Sequence, residues 1–356
     1  MADTIRYGII GSGMMGCEHI MNLKLMPDVV VTAIADSNET SRGWGRSFAG
    51  DGVEVYTDYR DLLRAAPVDA GVIATPNFTH HDVLQDVFRT EKHILVEKPL
   101  CTTVEDCHHI VEQAAHHRGI VWVGMEYRFM PAVGHMIRQV HDGIVGPLRM
   151  VAIREHRFPF LPKVDNWNRF TRNTGGTLVE KCCHFFDLMT LIVRQKPVRV
   201  YASGAQDVNH LDERYDGEAP DILDNAFTIV DYDGGTRAML DLCMFAENSP
   251  HEVEITVTGS GGKVLALEPE HRVVLCRRDG SAATSEQFEL ESRLTMAGAH
   301  NGSTYYQHRA FIEAIRSGGQ PAVTALDGAR AVAVGAAAHR SIEERRPVEL
   351  SELGFA

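Results

Sequence analysis

The chain has 356 residues, which exceeds the commonest size of a single domain, so two domains are expected. Its formal net charge of −13 disfavours a nucleic-acid backbone or an anionic membrane surface as a partner, because both attract an excess of lysine and arginine. The seven cysteines have no CxxC spacing, no secretory leader precedes the first strand, and no apolar run reaches the roughly 18 residues of a membrane span. These features predict a cytoplasmic protein with reduced thiols.

The first third of the chain alternates short apolar segments with stretches of helical spacing. Four segments rich in Val, Ile and Ala are expected to be strands and cover residues 5–10, 29–35, 70–74 and 93–96. Strand and helix repeated in this order predict a parallel sheet with helices on both faces, the arrangement of an α/β domain. Ligands of such sheets bind beyond the carboxyl ends of the strands, so the residues that follow each strand are candidates for a site.

The first strand ends in GSGMMG, a G-x-G-x-x-G loop that opens a helix. Gly11, Gly13 and Gly16 have the spacing that lets a pyrophosphate approach a helix N-terminus, and Asp36 ends the second strand 20 residues further on. A carboxylate there accepts the hydroxyls of an adenosine ribose. The alternative, a tight turn and an ordinary surface aspartate, is disfavoured by this spacing. The predicted dinucleotide contacts are Gly11, Ser12, Gly13, Met14, Met15 and Asp36.

Asp36 also bears on the choice of dinucleotide. A 2′-phosphate beside its carboxylate would be repelled, whereas a free 2′-hydroxyl would donate to it, so NAD is favoured over NADP. Ser37 is expected to lie beside the same ribose. Ser37 and Arg42 could accept a phosphate if Asp36 turned away, which keeps NADP open as the less favoured cofactor.

The third predicted strand runs into ATPNFTHH. Pro76 ends the strand because it lacks a ladder donor, and Thr75 and Asn77 then present polar groups where a nicotinamide ribose would lie. His80 begins the following helix, and these four residues are candidate cofactor contacts. A plain loop with Thr79 as the helix cap explains the same stretch.

The fourth predicted strand ends in Glu97, Lys98 and Pro99. A residue before proline is pushed towards extended geometry, so Lys98 projects from the strand end, and alternation directs Glu97 to the opposite side. One of the two can reach the reactive ring of a cofactor while the other anchors the neighbouring loop or ribose. A partly desolvated lysine near an oxidised nicotinamide is suited to proton transfer. A surface turn is the alternative, and the strand context disfavours it.

The glycine loop, the aspartate after the second strand, TPNFTHH and above all E-K-P resemble the motifs of the Gfo/Idh/MocA family of sugar and cyclitol oxidoreductases. The resemblance implies an NAD(P)-binding Rossmann domain in residues 1–125 and an α+β domain for substrate binding and oligomerisation in residues 126–356. It implies that the C-terminal helices pack back on the first domain. It also implies that Lys98 transfers the proton of a substrate hydroxyl and contacts the nicotinamide ribose.

The middle of the chain is rich in predicted strands. A helix from about residue 131 to 141 is followed by runs such as LRMVAIREHRF, NAFTIVDYDG and EVEITVTGSGG with short turns between them. This pattern predicts a large, mainly antiparallel sheet and therefore an α+β domain. By analogy with the family, one face of this sheet is open and favours a homodimer or homotetramer.

One helix interrupts the strands, in TGGTLVEKCCHFFDLMTLIV. Glu180, His184 and Asp187 have i, i+4, i+7 spacing and share one stripe of an otherwise apolar helix. Ionisable groups on a buried helix are costly unless they pair or line a cleft, which favours a functional role over that of a satisfied core histidine. Cys182, Cys183 and His184 point about 100° apart, so they cannot converge on one ion and no metal is expected.

The same helix resembles the second motif of the family, G-G-x-L-x-D-x-G-x-H-x-x-D, in which the histidine acts with the E-K-P lysine. His184 and Asp187 match the motif. Glu180 stands where the family commonly has Asp, and Cys182 stands where it commonly has Gly. These two departures leave open the preferred substrate and the division of labour between Glu180 and His184.

Five further residues are candidates for substrate contact. Tyr127 and Arg128 resemble part of the family's loop after the last Rossmann strand. His156, Arg157 and Trp167 offer polar groups and a stacking face for a sugar ring, although each is equally well explained as structural.

These features predict an NAD-dependent dehydrogenase that oxidises a secondary alcohol of a sugar, a sugar derivative or a cyclitol. Lys98 is the expected acid/base, His184 and Glu180 assist, and Asp187 anchors a neighbouring hydroxyl. Two alternatives remain open, and the first of them uses the same residues. One is an NAD-dependent enzyme that cleaves glycosides by transient oxidation at C3, and the other is a non-catalytic dinucleotide-binding regulator. The presence of both Lys98 and His184 disfavours the regulator.

Overall fold

The computed structural model describes residues 4–355, and the chain divides into two units. Unit 1 comprises the described residues up to Glu126 together with Leu290–Ala329. Unit 2 comprises Tyr127–Glu289 and the described residues from Arg330 onward. Within residues 4–355, none of the helices combines the length and the apolar character that crossing a bilayer requires.

Unit 1 is built on a six-stranded parallel sheet with the strand order β3-β2-β1-β4-β5-β6. The strands are β1 (Ile5–Ile10), β2 (Val29–Ala35), β3 (Glu54–Tyr56), β4 (Ala70–Ile73), β5 (His93–Glu97) and β6 (Val121–Gly124). The helices between them are α1 (Met14–Leu23), α2 (Glu39–Ala49), α3 (Tyr59–Ala65), α4 (His80–Val87) and α5 (Val104–Ala114). The predicted α/β domain is confirmed.

The central strands are buried on both faces, as near-continuous runs of Val, Ile and Ala require in a parallel sheet. The strand order reverses between β1 and β4, and in open α/β sheets ligands bind at this point. The glycine loop follows β1, and the ATPNFTHH loop follows β4.

Strand β3 was not predicted. It has three residues at the edge of the sheet, and Glu54 and Val55 are exposed, so no apolar run marks it in the sequence. The E-K-P turn therefore follows the fifth strand in chain order and not the fourth.

Unit 2 carries a nine-stranded sheet with the strand order β14-β13-β12-β11-β7-β10-β9-β8-β15. Neighbouring strands are antiparallel except for the pair β7 and β10. The strands are β7 (Leu148–His156), β8 (Pro197–Ala205), β9 (Asn225–Tyr232), β10 (Arg237–Cys243), β11 (Val253–Gly259), β12 (Gly262–Glu268), β13 (Arg272–Arg277), β14 (Thr284–Gln287) and β15 (Val348–Glu349).

Helices cover one face of this sheet and leave the other open. In chain order the remaining helices are α6 (Pro131–His141), α7 (Thr171–Thr174), α8 (Thr177–Glu180), α9 (Cys183–Val193), α10 (Ser292–Thr295), α11 (Ser303–Ser317) and α12 (Ala325–Glu344). Of these, α10 and α11 belong to unit 1, and α12 begins in unit 1 and continues into unit 2. Helices α6 and α9 contact the covered face of the sheet. The predicted α+β domain with a mainly antiparallel, open-faced sheet is confirmed.

The single helix predicted in TGGTLVEKCCHFFDLMTLIV is divided into α8 and α9. Lys181 and Cys182 lie between them and keep right-handed helical dihedral angles, so the segment continues on a helical path. The two preceding glycines, Gly175 and Gly176, have φ of +77° and +85°. L side chains rarely adopt these values, which explains the glycine pair before α8.

Candidate active site

The glycine loop of unit 1 leaves open space at an uncapped helix N-terminus. Gly11 has a φ of +90°, and a Cβ there would lie 2.6 Å from the Ala74 backbone, while a Cβ on Gly16 would lie 2.0 Å from the Gly11 carbonyl oxygen. A Cβ on Gly13 would meet nothing within 4 Å, and no side chain caps α1, which begins at Met14. Gly11 and Gly16 are therefore needed for the turn, and the space at Gly13 fits a pyrophosphate.

Asp36 lies beside this loop with its carboxylate held in place. Its Oδ2 accepts a hydrogen bond from the Ser12 backbone N–H at 2.8 Å, and its Oδ1 accepts one from the Asn38 backbone N–H at 2.8 Å. Arg42 donates through Nη1 to the carbonyl oxygens of Asp36 and Ser37, at 2.8 Å in each case. The side chains of Asp36 and Arg42, which both bear on the choice between NAD and NADP, are thus held by hydrogen bonds to backbone groups.

The loop after β4 contains a buried donor without an acceptor in the described part of the chain. The Asn77 side chain is 6% exposed, and its Nδ2 has no partner within residues 4–355. A buried amide left in this way is costly, so its N–H groups fit a ligand oxygen. Thr79 Oγ1 bonds Thr75 Oγ1 and the Pro76 carbonyl oxygen and does not cap α4.

His80 is fully buried between two loops of unit 1. Its Nδ1 lies 2.8 Å from the Pro99 carbonyl oxygen, and its Nε2 lies 3.0 Å from the Thr75 carbonyl oxygen. Burial lowers the pKa of His80, so the neutral ring donates its one N–H to one of the two carbonyls. His80 thus links the loops after β4 and β5 through its two ring nitrogens. Its contact with the cofactor stays a prediction.

The E-K-P turn has a buried carboxylate behind a partly exposed lysine. Glu97 is 4% exposed, its Oε1 lies 2.9 Å from His19 Nε2, and its Oε2 accepts from the Lys98 backbone N–H at 3.2 Å. Burial by itself raises the pKa of Glu97, but the His19 hydrogen bond and the nearby Lys98 charge lower it overall. Glu97 is therefore an ionised internal anchor of the turn and points away from solvent.

Two histidines behind this turn were missed in the sequence. His19 Nδ1 lies 2.8 Å from His308 Nε2, and both rings are fully buried. A neutral His19 that donates through Nε2 to Glu97 accepts at Nδ1 from His308 Nε2, because a neutral imidazole carries one N–H. Burial lowers the pKa of His308 well below its ordinary value, which keeps that ring neutral. The position of His19 on α1 beside the glycine loop was the available signal.

In unit 2, the three ionisable residues of the predicted stripe are all buried. Glu180 is 6% exposed, and His184 and Asp187 are each 2% exposed. Arg128 donates to both oxygens of Asp187, at 2.6 Å from Nε and 2.5 Å from Nη2. The predicted substrate contacts Arg128 and Asp187 are thus first of all each other's partners, so a substrate hydroxyl would share the Asp187 carboxylate with the guanidinium.

Tyr127 and His184 are stacked. Their ring centroids lie 4.2 Å apart with planes inclined by 6°. The Tyr127 hydroxyl accepts from Lys181 Nζ at 2.8 Å, and the same ammonium lies 2.8 Å from a carboxylate oxygen of Glu155. Lys181 and Glu155 were missed, although the alternation Val151, Ile153, Glu155 in β7 already directs this glutamate inward.

The remaining predicted substrate contacts lie in different surroundings. His156 follows Glu155 on β7 and so faces the opposite side, where its Nε2 lies 3.0 Å from Asp241 Oδ1. His156 therefore does not join the Tyr127 cluster, because one step along a strand reverses the side-chain direction. Arg157 Nη1 lies 3.5 Å from Glu155, and its guanidinium stacks over Phe158.

Trp167 is partly buried, and its carbonyl oxygen accepts from Asn173 Nδ2 at 2.9 Å. Across the described residues 4–355, no group of three or more His, Cys, Asp or Glu side chains is arranged to hold a metal ion.

Two family models match this chain over most of its length. The model described as the NAD-binding Rossmann fold of the oxidoreductase family matches residues 5–125. The model described as the C-terminal alpha/beta domain of that family matches residues 137–350. The chain belongs to the Gfo/Idh/MocA oxidoreductase family, and the resemblance drawn from the motifs is confirmed.

Individual relatives are similar to the chain from end to end. It is 28% identical to the myo-inositol 2-dehydrogenase of Thermotoga maritima, over 98% of this chain and 99% of the relative. It is 29% identical to the inositol 2-dehydrogenase of Rhizobium meliloti, over 98% of this chain and 100% of the relative. Among solved structures, a probable dehydrogenase from Thermotoga maritima has a TM-score of 0.79 at 27% identity, covering 98% of this chain and 100% of that one.

Levoglucosan dehydrogenase, solved with NADH and levoglucosan, has a TM-score of 0.87 at 19% identity and covers 98% of this chain and 100% of its own. At that identity the likeness establishes the fold alone.

Proposed function

We propose that the protein is an NAD-dependent dehydrogenase that moves a hydride between nicotinamide and a secondary alcohol of a sugar, a sugar derivative or a cyclitol such as an inositol. The observation that carries the proposal is the E-K-P turn: Lys98 follows a buried, ionised Glu97 held by His19 at the carboxyl end of β5. Ligands of a parallel sheet bind at those strand ends. The inositol dehydrogenases among the relatives support the substrate class.

Each residue of the proposed site has a separate role in the reaction. When bound, NAD supplies the hydride acceptor. Lys98 accepts the hydroxyl proton of the carbon that loses hydride, and His184 donates a hydrogen bond to the same oxygen. Glu180 orients His184. Tyr127, Arg157 and Trp167 contact the rest of the substrate, and the Arg128–Asp187 pair anchors a neighbouring hydroxyl.

NAD is proposed over NADP because of Asp36. Its two oxygens are held by the backbone N–H groups of Ser12 and Asn38, so it does not turn away to admit a 2′-phosphate. Arg42, which could otherwise bind that phosphate, donates to the carbonyl oxygens of Asp36 and Ser37. The composition of the chain supports a cytoplasmic location.

A substrate panel tests the proposal. Inositols, aldoses and anhydrosugars are incubated with NAD and with NADP separately, and reduced nicotinamide is followed by absorbance. We expect turnover on at least one polyol with NAD and far less with NADP. Lys98→Ala should lower turnover by about two orders of magnitude or more while NAD affinity changes little, because a lost proton-transfer group costs this much. Lys24→Ala, an exposed lysine of unit 1, is the matched control.

Three outcomes count against the proposal. Near-normal turnover of Lys98→Ala would remove the assigned acid/base. Release of aglycone from glycosides without net reduced cofactor would indicate the glycoside-cleaving reaction. Tight NAD binding without redox activity on any substrate would indicate a regulator.

A further inference from the structure

Lys181 is a buried lysine of unit 2 to which the reaction proposed above assigns no part. It is 6% exposed and lies between α8 and α9, three residues before His184. Its Nζ donates to Tyr127 Oη at 2.8 Å and lies 2.8 Å from a carboxylate oxygen of Glu155. A buried ammonium is costly to desolvate even when paired, so replacing such a pair by apolar residues is often neutral for stability. Stability alone therefore does not account for Lys181.

Tyr127 connects Lys181 to His184. Its hydroxyl binds the ammonium of Lys181, and the face of its ring lies 4.2 Å from the ring of His184 in a nearly parallel stack. Phe185 meets the same ring edge-on with centroids 5.7 Å apart. The phenol is thus fixed at its oxygen by Lys181 and at its ring by two neighbours, and the plane of the imidazole follows from the plane of the phenol.

Glu155 lies at the far end of the series of contacts that runs from His184 through Tyr127 to Lys181. It is fully buried on β7, at an inward-facing position of the nine-stranded sheet. Its carboxylate pairs with Lys181 at 2.8 Å and with Arg157 at 3.5 Å. The position of the Lys181 ammonium is therefore set from a strand of the sheet, while Tyr127 lies in the 3-10 turn Glu126–Phe129.

We propose that Lys181 is a positioning residue that acts through Tyr127 and holds the imidazole of His184 in the orientation required by the substrate oxygen. This rests on the proposed function of His184. Because Glu155 already neutralises the Lys181 ammonium, that charge is not available to bind an acidic group of a substrate, which favours neutral polyols at this end of the site. Misplacing a reacting group by about 1 Å can cost a hundredfold in rate.

The test compares Lys181→Met, Lys181→Arg, Tyr127→Phe and the double variant Lys181→Met/Tyr127→Phe, with the exposed Lys196→Met as the matched control. Lys181→Met and Tyr127→Phe each break the same hydrogen bond. We expect each to lower kcat by about tenfold to a hundredfold, with the KM for NAD changed by less than about twofold. The kcat of the double variant should be no lower than that of the slower single variant, because both substitutions remove the same Lys181–Tyr127 hydrogen bond. Lys181→Arg should recover part of the loss.

Tyr127→Phe leaves the Lys181–Glu155 ion pair intact and removes the Lys181–Tyr127 hydrogen bond, so it serves even if Lys181→Met does not fold. Because Tyr127 is also a proposed substrate contact, the KM for the substrate is measured with kcat, and a change in that KM alone would count against positioning. A kcat for Tyr127→Phe equal to that of the native protein, or losses that multiply in the double variant, would show that Lys181 only stabilises the fold.

A second measurement does not depend on turnover. The Cε1–H resonance of His184 in histidine-labelled protein, assigned by its loss in His184→Gln, should be shifted upfield by the ring of Tyr127. Lys181→Met should remove most of that shift, and Lys196→Met should leave it in place. If the native protein oxidises nothing on the panel, the proposed function fails, while this shift still tests the positioning. An unchanged shift in Lys181→Met would overturn the inference.

Discussion

A threonine hydroxyl between two buried glutamates determines where one proton lies in unit 1. Thr304 Oγ1 is 3.0 Å from Glu18 Oε1 and 2.9 Å from Glu126 Oε2. The hydroxyl can donate to one carboxylate only, so the other must itself carry a proton. Burial raises the pKa of Glu126. Burial also opposes ionisation of Glu18, but its hydrogen bond from His300 at 2.7 Å and the His300 charge lower the pKa of Glu18 overall. We therefore expect the proton to lie on Glu126, although His300 Nε2 is also 3.6 Å from its Oε1.

This assignment predicts unequal costs for two isosteric substitutions. Glu126→Gln keeps a neutral donor towards Thr304 and should change the free energy of unfolding near pH 7 by less than about 1 kcal/mol. Glu18→Gln removes the charged acceptor of His300 and should cost about 1.5 to 3 kcal/mol. Urea denaturation of both variants measures the difference. An equal or larger cost for Glu126→Gln would mean that the proton lies on Glu18.

At the scale of single elements, α8 depends on a histidine from a distant helix. Gly176 precedes α8 with φ of +85°, and a Cβ there would lie 2.3 Å from His339 Nε2 on α12. That nitrogen accepts from the Leu178 backbone N–H at 3.1 Å, so a neutral imidazole caps the helix. Burial lowers the pKa of His339 to about 4. Protonation would remove the acceptor that α8 uses.

The stability of unit 2 should therefore depend on pH through His339. An unfolded histidine titrates near pH 6.5, whereas folded His339 titrates near 4, so this contribution is complete above pH 6.5 and is lost as the pH falls towards 4. Between about pH 7 and pH 4.5 the loss should be about 2 to 3 kcal/mol. His339→Gln offers an acceptor that does not titrate. Between these pH values its free energy of unfolding, measured by urea denaturation, should therefore fall by about 2 to 3 kcal/mol less than that of the native protein. Identical pH slopes for the two proteins would contradict the assignment.

At the scale of the whole molecule, the open face of the nine-stranded sheet carries an apolar patch beside its ion pairs. Tyr201, Ile229 and Met239 are neighbours across β8, β9 and β10 and are 46%, 48% and 38% exposed, and Phe227 beside them is 62% exposed. A contiguous apolar patch of this kind marks an interaction surface. We propose that a second copy of the chain covers it, in a homodimer or homotetramer.

A charge placed on this face should weaken the assembly. Burying an aliphatic side chain contributes about 1.5 to 3 kcal/mol, so Ile229→Lys should raise the dissociation constant by about tenfold or more. Sedimentation velocity over a dilution series measures this. Met296→Lys, a change at another exposed apolar residue in unit 1, is the control and should not alter the assembly. Sedimentation of the native protein as a monomer would contradict the proposed homodimer or homotetramer.

Local motifs of the candidate site were predictable from the sequence, whereas one edge strand of the fold was not. The glycine loop, Asp36, the E-K-P turn and the buried stripe of Glu180, His184 and Asp187 were all recognisable. Each is a local pattern in which the spacing itself reflects the geometry of one turn or one helix face. Strand β3 was missed because an exposed edge strand of three residues has no apolar signature.

The amino-acid sequence by itself determined the family, the two-part architecture and the candidate reactive residues, because these follow from periodicity and motifs that span a few residues. Only the tertiary structure decided which partners those residues have. His19 and His308 are 289 positions apart, and Lys181 and Tyr127 are 54 apart, yet each pair shares a hydrogen bond. Such contacts depend on how strands and helices pack against one another. The spacing of residues along the chain therefore does not predict them.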